Sequence, residues 1–269
     1  MIFAAVLAGL AAGLIMSAVQ QWRVVPLIEQ AEVYENEEAA APATPAPSPT
    51  DNATSGNGVV EPSNATAMAA AGGHDHGGHD RAGHDHKAGG EHSEHANAWA
   101  PANGGERLAY TVLMNVLTGI GFAMLLAAAS LLLGLPLTPA NGLLWGFAGF
   151  VVFMLAPSIG LPPQLPGTPV ADLADRQLWW WATVAATAAG LGLVLLSPNV
   201  LLKALGALLV VMPHLVGAPQ PPTLDTAVPA PLAAAYASNA LASGVVFWLA
   251  IGFFLGLAGS RILPAKATT

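Results

Sequence analysis

Cysteine is absent, and charge is nearly so: only 9% of the 269 residues are Asp, Glu, Lys or Arg. Without Cys there is no disulfide, no thiolate ligand and no thiol nucleophile, so any chemistry falls to His, carboxylate, Met, amide or hydroxyl groups. Lys and Arg number eight against sixteen acidic residues, a net charge of −8, which excludes a nucleic-acid binder that works by neutralising phosphates. Also missing are the phosphate loop G-x-x-x-x-G-K-S/T, the zinc-peptidase H-E-x-x-H and the hydrolase G-x-S-x-G. ATP hydrolysis and common hydrolytic chemistry are therefore unsupported, the chain does not read as an enzyme, and any transport must draw on a gradient or a partner.

What is present is apolar: 54% of the residues are hydrophobic and mean hydropathy is +0.56. The charge is also segregated. Thirteen of the 16 acidic residues lie between Glu29 and Glu106, whereas Leu108 to Ala171 carries no charge at all. A hydrocarbon core of roughly 30 Å takes about 20 apolar helical residues to cross, and only closed hydrogen bonding is tolerated there. By that measure the spans are Ile2–Val19, closed by the interfacial residues Gln20, Gln21, Trp22 and Arg23, then Leu108–Leu135, Asn141–Leu161, Gln177–Leu196, Val200–Val216 and Ala233–Gly259. The fold class is all-α, a polytopic membrane helix bundle of about six helices, or five if the short Val200–Val216 is re-entrant. In domain terms, 1–25 is the first membrane helix, 26–107 an acidic, Ala/Pro-rich and His-rich loop expected to be mostly disordered, 108–260 the bundle, and 261–269 a short tail. No Lys or Arg precedes the first span and no small-x-small site follows it, so it reads as retained rather than cleaved. With six spans, Lys203, Arg261 and Lys266 share the side of both termini; the termini then face the cytoplasm and the long loop faces outward.

The histidines carry the strongest chemical signal. Seven of eight fall within 22 residues: His74, His76, His79, His84, His86, His92 and His95, with Asp75, Asp80 and Asp85 interleaved. Imidazole with carboxylate suits Co²⁺, Ni²⁺, Zn²⁺ or Cu²⁺ better than Mg²⁺ or Ca²⁺. Ordering a pliable tract around each ion opposes binding, so the tract suits multi-site, exchangeable collection, and protonation near a pKa of about 6.5 should empty it. The alternative is a solvated low-complexity loop. Glu29, Glu32 and Glu35 recur every third residue, which on a helix aligns three carboxylates as a candidate cation-receiving site or a solvated juncture. The eighth histidine, His214, follows Pro213 near a span end, where an ionisable group faces a cavity or hydrogen-bonds a carbonyl.

Other features read as structure. Asp172, Asp175 and Arg176 before Trp179, Trp180 and Trp181 suggest a capped helix start with an interfacial belt. Asn115, Asn239 and Thr187 are candidates for interhelical hydrogen bonds, and Gly9/Gly13, Gly142/Gly146 and Gly252/Gly256 for close helix packing. Met154 and Met212 read as packing and Lys203 as snorkelling. Pro157-Ser-Ile-Gly-Leu-Pro162 and Pro213-His-Leu-Val-Gly-Ala-Pro219 form a faint repeat, either a transporter-like paired site or helix stops.

The order Gln20-Gln21, Glu32-Val33-Tyr34-Glu35, a His-rich loop, Trp99-Ala100-Pro101, Gly105-Glu106-Arg107, Gly160-Leu-Pro-Pro-Gln-Leu-Pro-Gly167, Arg176-Gln-Leu-Trp-Trp180, Pro213-His-Leu-Val-Gly-Ala-Pro219 and Phe247-Trp248 resembles the CbtA family over nearly the whole chain. That resemblance implies the membrane subunit of a prokaryotic cobalt transporter in the cytoplasmic membrane, serving cobalamin supply. Co²⁺ is then the substrate (Ni²⁺ or Zn²⁺ as alternatives) with no prosthetic group, and a small single-span CbtB-type subunit is a partner beside membrane lipid. It also implies five spans, against six from hydropathy. The family's Glu after Leu-Pro-Pro is Gln164 here, so no carboxylate stands at that position.

Overall fold

The computed structural model describes residues 1–40, 101–102 and 104–262. Helix α1 (Ile2–Arg23) buries one stripe of small residues, Ala5, Ala8, Gly9, Ala12, Gly13 and Ser17. Small side chains let backbones approach closely, which is how helices gain contact where lipid supplies no hydrophobic drive. Here the approach is to α3 (Gly105–Leu132): a Cβ on Gly13 would lie 2.5 Å from the Val116 Cα, and one on Gly9 would strike the backbone of Gly119 and Ile120. The two helices are thus antiparallel. Between α1 and α3 comes α2 (Val25–Ala40), which continues α1 past a break at Val24 and Pro26. Composition placed the start of a disordered stretch there; instead Ala31 is fully buried against Leu165 and Val228, a contact no local pattern announces.

Helix α4 (Gly142–Gly160) lies antiparallel to α7 (Ala230–Ile262), with Gly142 and Gly146 facing Gly252 and the Trp248 carbonyl. Its middle, Val151–Leu155, is a π-turn in which the Ala156 N–H reaches back five residues to the Val151 carbonyl. Pro157 cannot supply the next N–H, so widening the turn here re-houses part of a ladder the proline interrupts. Helices α1, α3, α4 and α7 share one core and form a four-helix group, in which Trp248 stacks on Phe153 at 5.4 Å and 9° and Phe122 lies 4.6 Å from Trp248.

Helices α5 (Leu173–Leu196) and α6 (Val200–Val216) form an antiparallel hairpin with Gly190 against Gly206. The hairpin meets the four-helix group at the C-terminal half of α4, where Phe153 pairs with Trp180 at 6.3 Å. Asp172 caps α5 by accepting from the amides of Ala174 (2.8 Å) and Asp175 (3.3 Å), so the helix starts four residues before the apolar run. Asn199 caps α6, and α6 ends at Gly217, φ 86°. Gly134, φ 64°, stops α3 short of the expected Leu135.

Among the described residues five helices, α1, α3, α4, α5 and α7, are long and apolar enough to cross a membrane. At 17 residues α6 is shorter, about 25 Å at 1.5 Å per residue. It still runs back alongside α5, so, apart from α2, consecutive helices alternate in direction. One face, hereafter the loop face, gathers the C-terminal ends of α1, α4 and α6 and the N-terminal ends of α3, α5 and α7.

Candidate functional site

The loop face is built on α2 and on the Leu161–Thr168 segment. Glu29, Glu32 and Glu35 follow one another along α2, and the three go to different neighbours. Glu32 accepts from the Arg107 guanidinium at 2.7 Å. Glu29 and Glu32 together line a cavity of about 550 Å³ with Gln21, Arg107 and Thr111. Glu35 instead faces Gly167, whose φ of 74° suits a residue without a side chain; an added Cβ would lie 3.5 Å from the Glu35 Cβ. Thr226 donates to the Gly167 carbonyl at 3.3 Å, which ties the loop before α7 to the same point.

Leu165 anchors the proline-rich segment in the small core under α2. Around that segment opens a second cavity of about 970 Å³, whose polar lining includes Arg107, Gln164, Arg176, Gln177 and Tyr236. No carboxylate is part of its lining among the described residues. Arg107 stands between the two cavities, acidic on one side and basic on the other.

His214 sits on the far side of α5. The Trp179 Nε1–H donates to the Pro213 carbonyl at 3.3 Å, and the indole meets the imidazole edge-on at 6.0 Å and 66°. Both imidazole nitrogens are shielded from solvent and find no hydrogen-bond partner among the described residues. A Cβ on Gly160 would lie 2.6 Å from the Trp179 ring and 2.7 Å from the Ala218 Cβ. The two Pro-Gly blocks therefore meet on one tryptophan, and Gly160 is the residue that lets them.

The polar spans behave as expected with one exception. Asn115 donates to Ser17 (3.1 Å) and to Gln20 (2.7 Å), and Asn239 accepts from Arg23 at 3.1 Å, so both join neighbouring helices. Thr187 is fully buried and its hydroxyl finds no partner among the described residues. Trp181 is exposed as an interfacial residue should be, whereas Trp179 is buried. Met154 packs against Gly244.

Among the described residues no three His, Asp or Glu side chains gather into a group that could hold a metal ion. His74, His76, His79, His84, His86, His92, His95, Asp75, Asp80 and Asp85 lie outside the described residues. Sequence reading missed the pairing of Glu32 with Arg107 and the place of Arg176 in the larger cavity. A signal existed for Arg176, since a cation in the first turn of a helix opposes the macrodipole and calls for another reason to be there.

A family model described as "Probable cobalt transporter subunit (CbtA)" matches residues 1–259. No curated protein and no solved structure matches the chain.

Proposed function

The chain belongs to the CbtA family of probable cobalt transporter subunits, and from that premise we propose that it takes up Co²⁺ across a prokaryotic cytoplasmic membrane for cobalamin supply. The observation that carries this reading is the convergence on one face of the acidic α2, the Leu161–Thr168 segment and the Pro213–Pro219 block. In this reading the loop face is the outer face, and the tract from His74 to His95, with Asp75, Asp80 and Asp85, collects metal there. On that face Ala40 ends α2, before the tract in the chain, and Gly105 begins α3, after it. Glu29 and Glu32 receive the ion in the smaller cavity, where a divalent cation competes with Arg107 for Glu32. Glu35 extends the same acidic line, and His214, with two unsatisfied ring nitrogens, supplies a ligand deeper in the hairpin. No nucleotide-binding motif is present, so a gradient or a small CbtB-type partner supplies the drive.

A second reading is a metal-binding or scaffold subunit that moves nothing alone; it is favoured by the absence of a three-ligand group among the described residues. Uptake of radioactive cobalt by cells expressing this chain alone, with nickel and zinc as competitors, separates the two. Transport predicts cobalt-selective uptake that survives deletion of residues 74–95 and falls further in His214→Ala than in the deletion. If neither the intact chain nor the deletion takes up cobalt, and the purified chain in vesicles moves none, the scaffold reading replaces transport.

A further inference from the structure

The larger cavity has the wrong charge for a cation. Arg107 and Arg176 both line it and no carboxylate does among the described residues, so Co²⁺ inside it would be repelled. Arg107 is engaged by Glu32 at 2.7 Å. Arg176 has no carboxylate within ion-pair distance among the described residues, and its Nε–H is shielded from solvent without a hydrogen-bond partner there. The shielded, unsatisfied Nε–H is costly, and because Arg176 also lines the open volume, an acceptor seated there can reach the part of the guanidinium that is not shielded.

We propose that this cavity is a binding site for a phosphate group, held by Arg176 and bordered by Gln164, Gln177 and Tyr236. The planar guanidinium matches phosphate through two parallel N–H donors, which an ammonium cannot offer. Leu173, Trp180 and Trp181 form the apolar wall, and Trp181 is 62% exposed, so the mouth opens at the level of lipid headgroups. Basic pockets between membrane helices take anionic headgroups in this manner. The same chemistry serves a free phosphate, and the experiment separates the two sources.

The test uses the purified full-length chain in detergent, with phosphatidylglycerol, phosphatidylcholine and inorganic phosphate as probes. Native mass spectrometry should show phosphatidylglycerol retained over phosphatidylcholine, with Arg176→Gln weakening retention roughly tenfold and Arg176→Lys falling between. A rise in melting midpoint with inorganic phosphate that Arg176→Gln abolishes assigns the site to a free anion instead, which keeps the phosphate chemistry. The proposal fails if the wild-type chain shows neither preference nor shift, or if a well-folded Arg176→Gln binds as the wild type does. Should that variant aggregate, the wild-type chain decides: brominated phosphatidylglycerol must quench tryptophan emission more than brominated phosphatidylcholine, or inorganic phosphate must raise the melting midpoint, and equal quenching with no such rise overturns the site.

Discussion

A methyl group on Gly252 would land on the Gly142 carbonyl and on the Gly146 backbone, atoms that have no rotamer to retreat into. Overpacking of this kind costs about 1–3 kcal/mol, so Gly252→Ala should lower the unfolding midpoint in detergent. Gly121→Ala is the control: nothing lies within 4 Å of its added Cβ, and loss of glycine's excess backbone freedom should leave the midpoint unchanged or slightly raised. Equal midpoints for the two variants would mean that α4 and α7 do not pack as closely as described. The Glu32–Arg107 pair calls for a different expectation. Its side chains are about a third exposed (36% for Arg107, 32% for Glu32), so the pair should contribute at most about 1 kcal/mol to stability. Glu32→Gln should therefore fold nearly normally, and on the proposed reading it should lose several-fold of cobalt uptake while Arg107→Gln loses less. A large stability loss with uptake unchanged per folded molecule would make the pair structural.

At the scale of elements, the α5–α6 hairpin hangs on Trp179. Removing the indole opens a void between Gly160, Pro213 and Ala218 and should cost about 3–5 kcal/mol in Trp179→Ala. Trp179→Phe keeps most of the volume and loses chiefly the N–H donated to Pro213, worth about 0.5–1.5 kcal/mol. Thermal melts of the two variants should keep that order; if Trp179→Ala were the milder one, the hairpin would be held elsewhere. This contact also marks the boundary of what sequence could show. The five long helices are legible because an apolar run of span length has few other fates, and Asp172 is legible as a cap because a side-chain acceptor ahead of an apolar run has a local role. Helix α2 was not, because its acidic composition reads as solvated and the buried contact of Ala31 with Leu165 joins residues far apart in the chain. The convergence of the Pro-Gly blocks was visible as a repeat but not as a contact on Trp179. The basic cavity was invisible, since Arg107 and Arg176 become neighbours only through helix placement.

For the whole molecule the decisive question is whether α6 returns the chain to the loop face. Its contacts with α5 put Pro213 beside Trp179 and Gly206 beside Gly190, so Asn199 and Asp225 belong at opposite ends of the hairpin. A helix of 17 residues sits at the short end of the roughly 17–25 that span a bilayer, and local thinning of the bilayer accommodates the deficit at modest cost. Because the chain has no cysteine, single introduced cysteines report their side without background. Asp225→Cys and Thr168→Cys should react with a membrane-impermeant maleimide from one side of sealed vesicles, and Asn199→Cys and Asn141→Cys only from the other. If Asp225→Cys and Asn199→Cys label from the same side, α6 is re-entrant, five helices cross, and the termini lie on opposite faces. In that case the loop before α7 parts from Gly167 and the acidic helix, and the convergence on one face that carries the proposed uptake is lost.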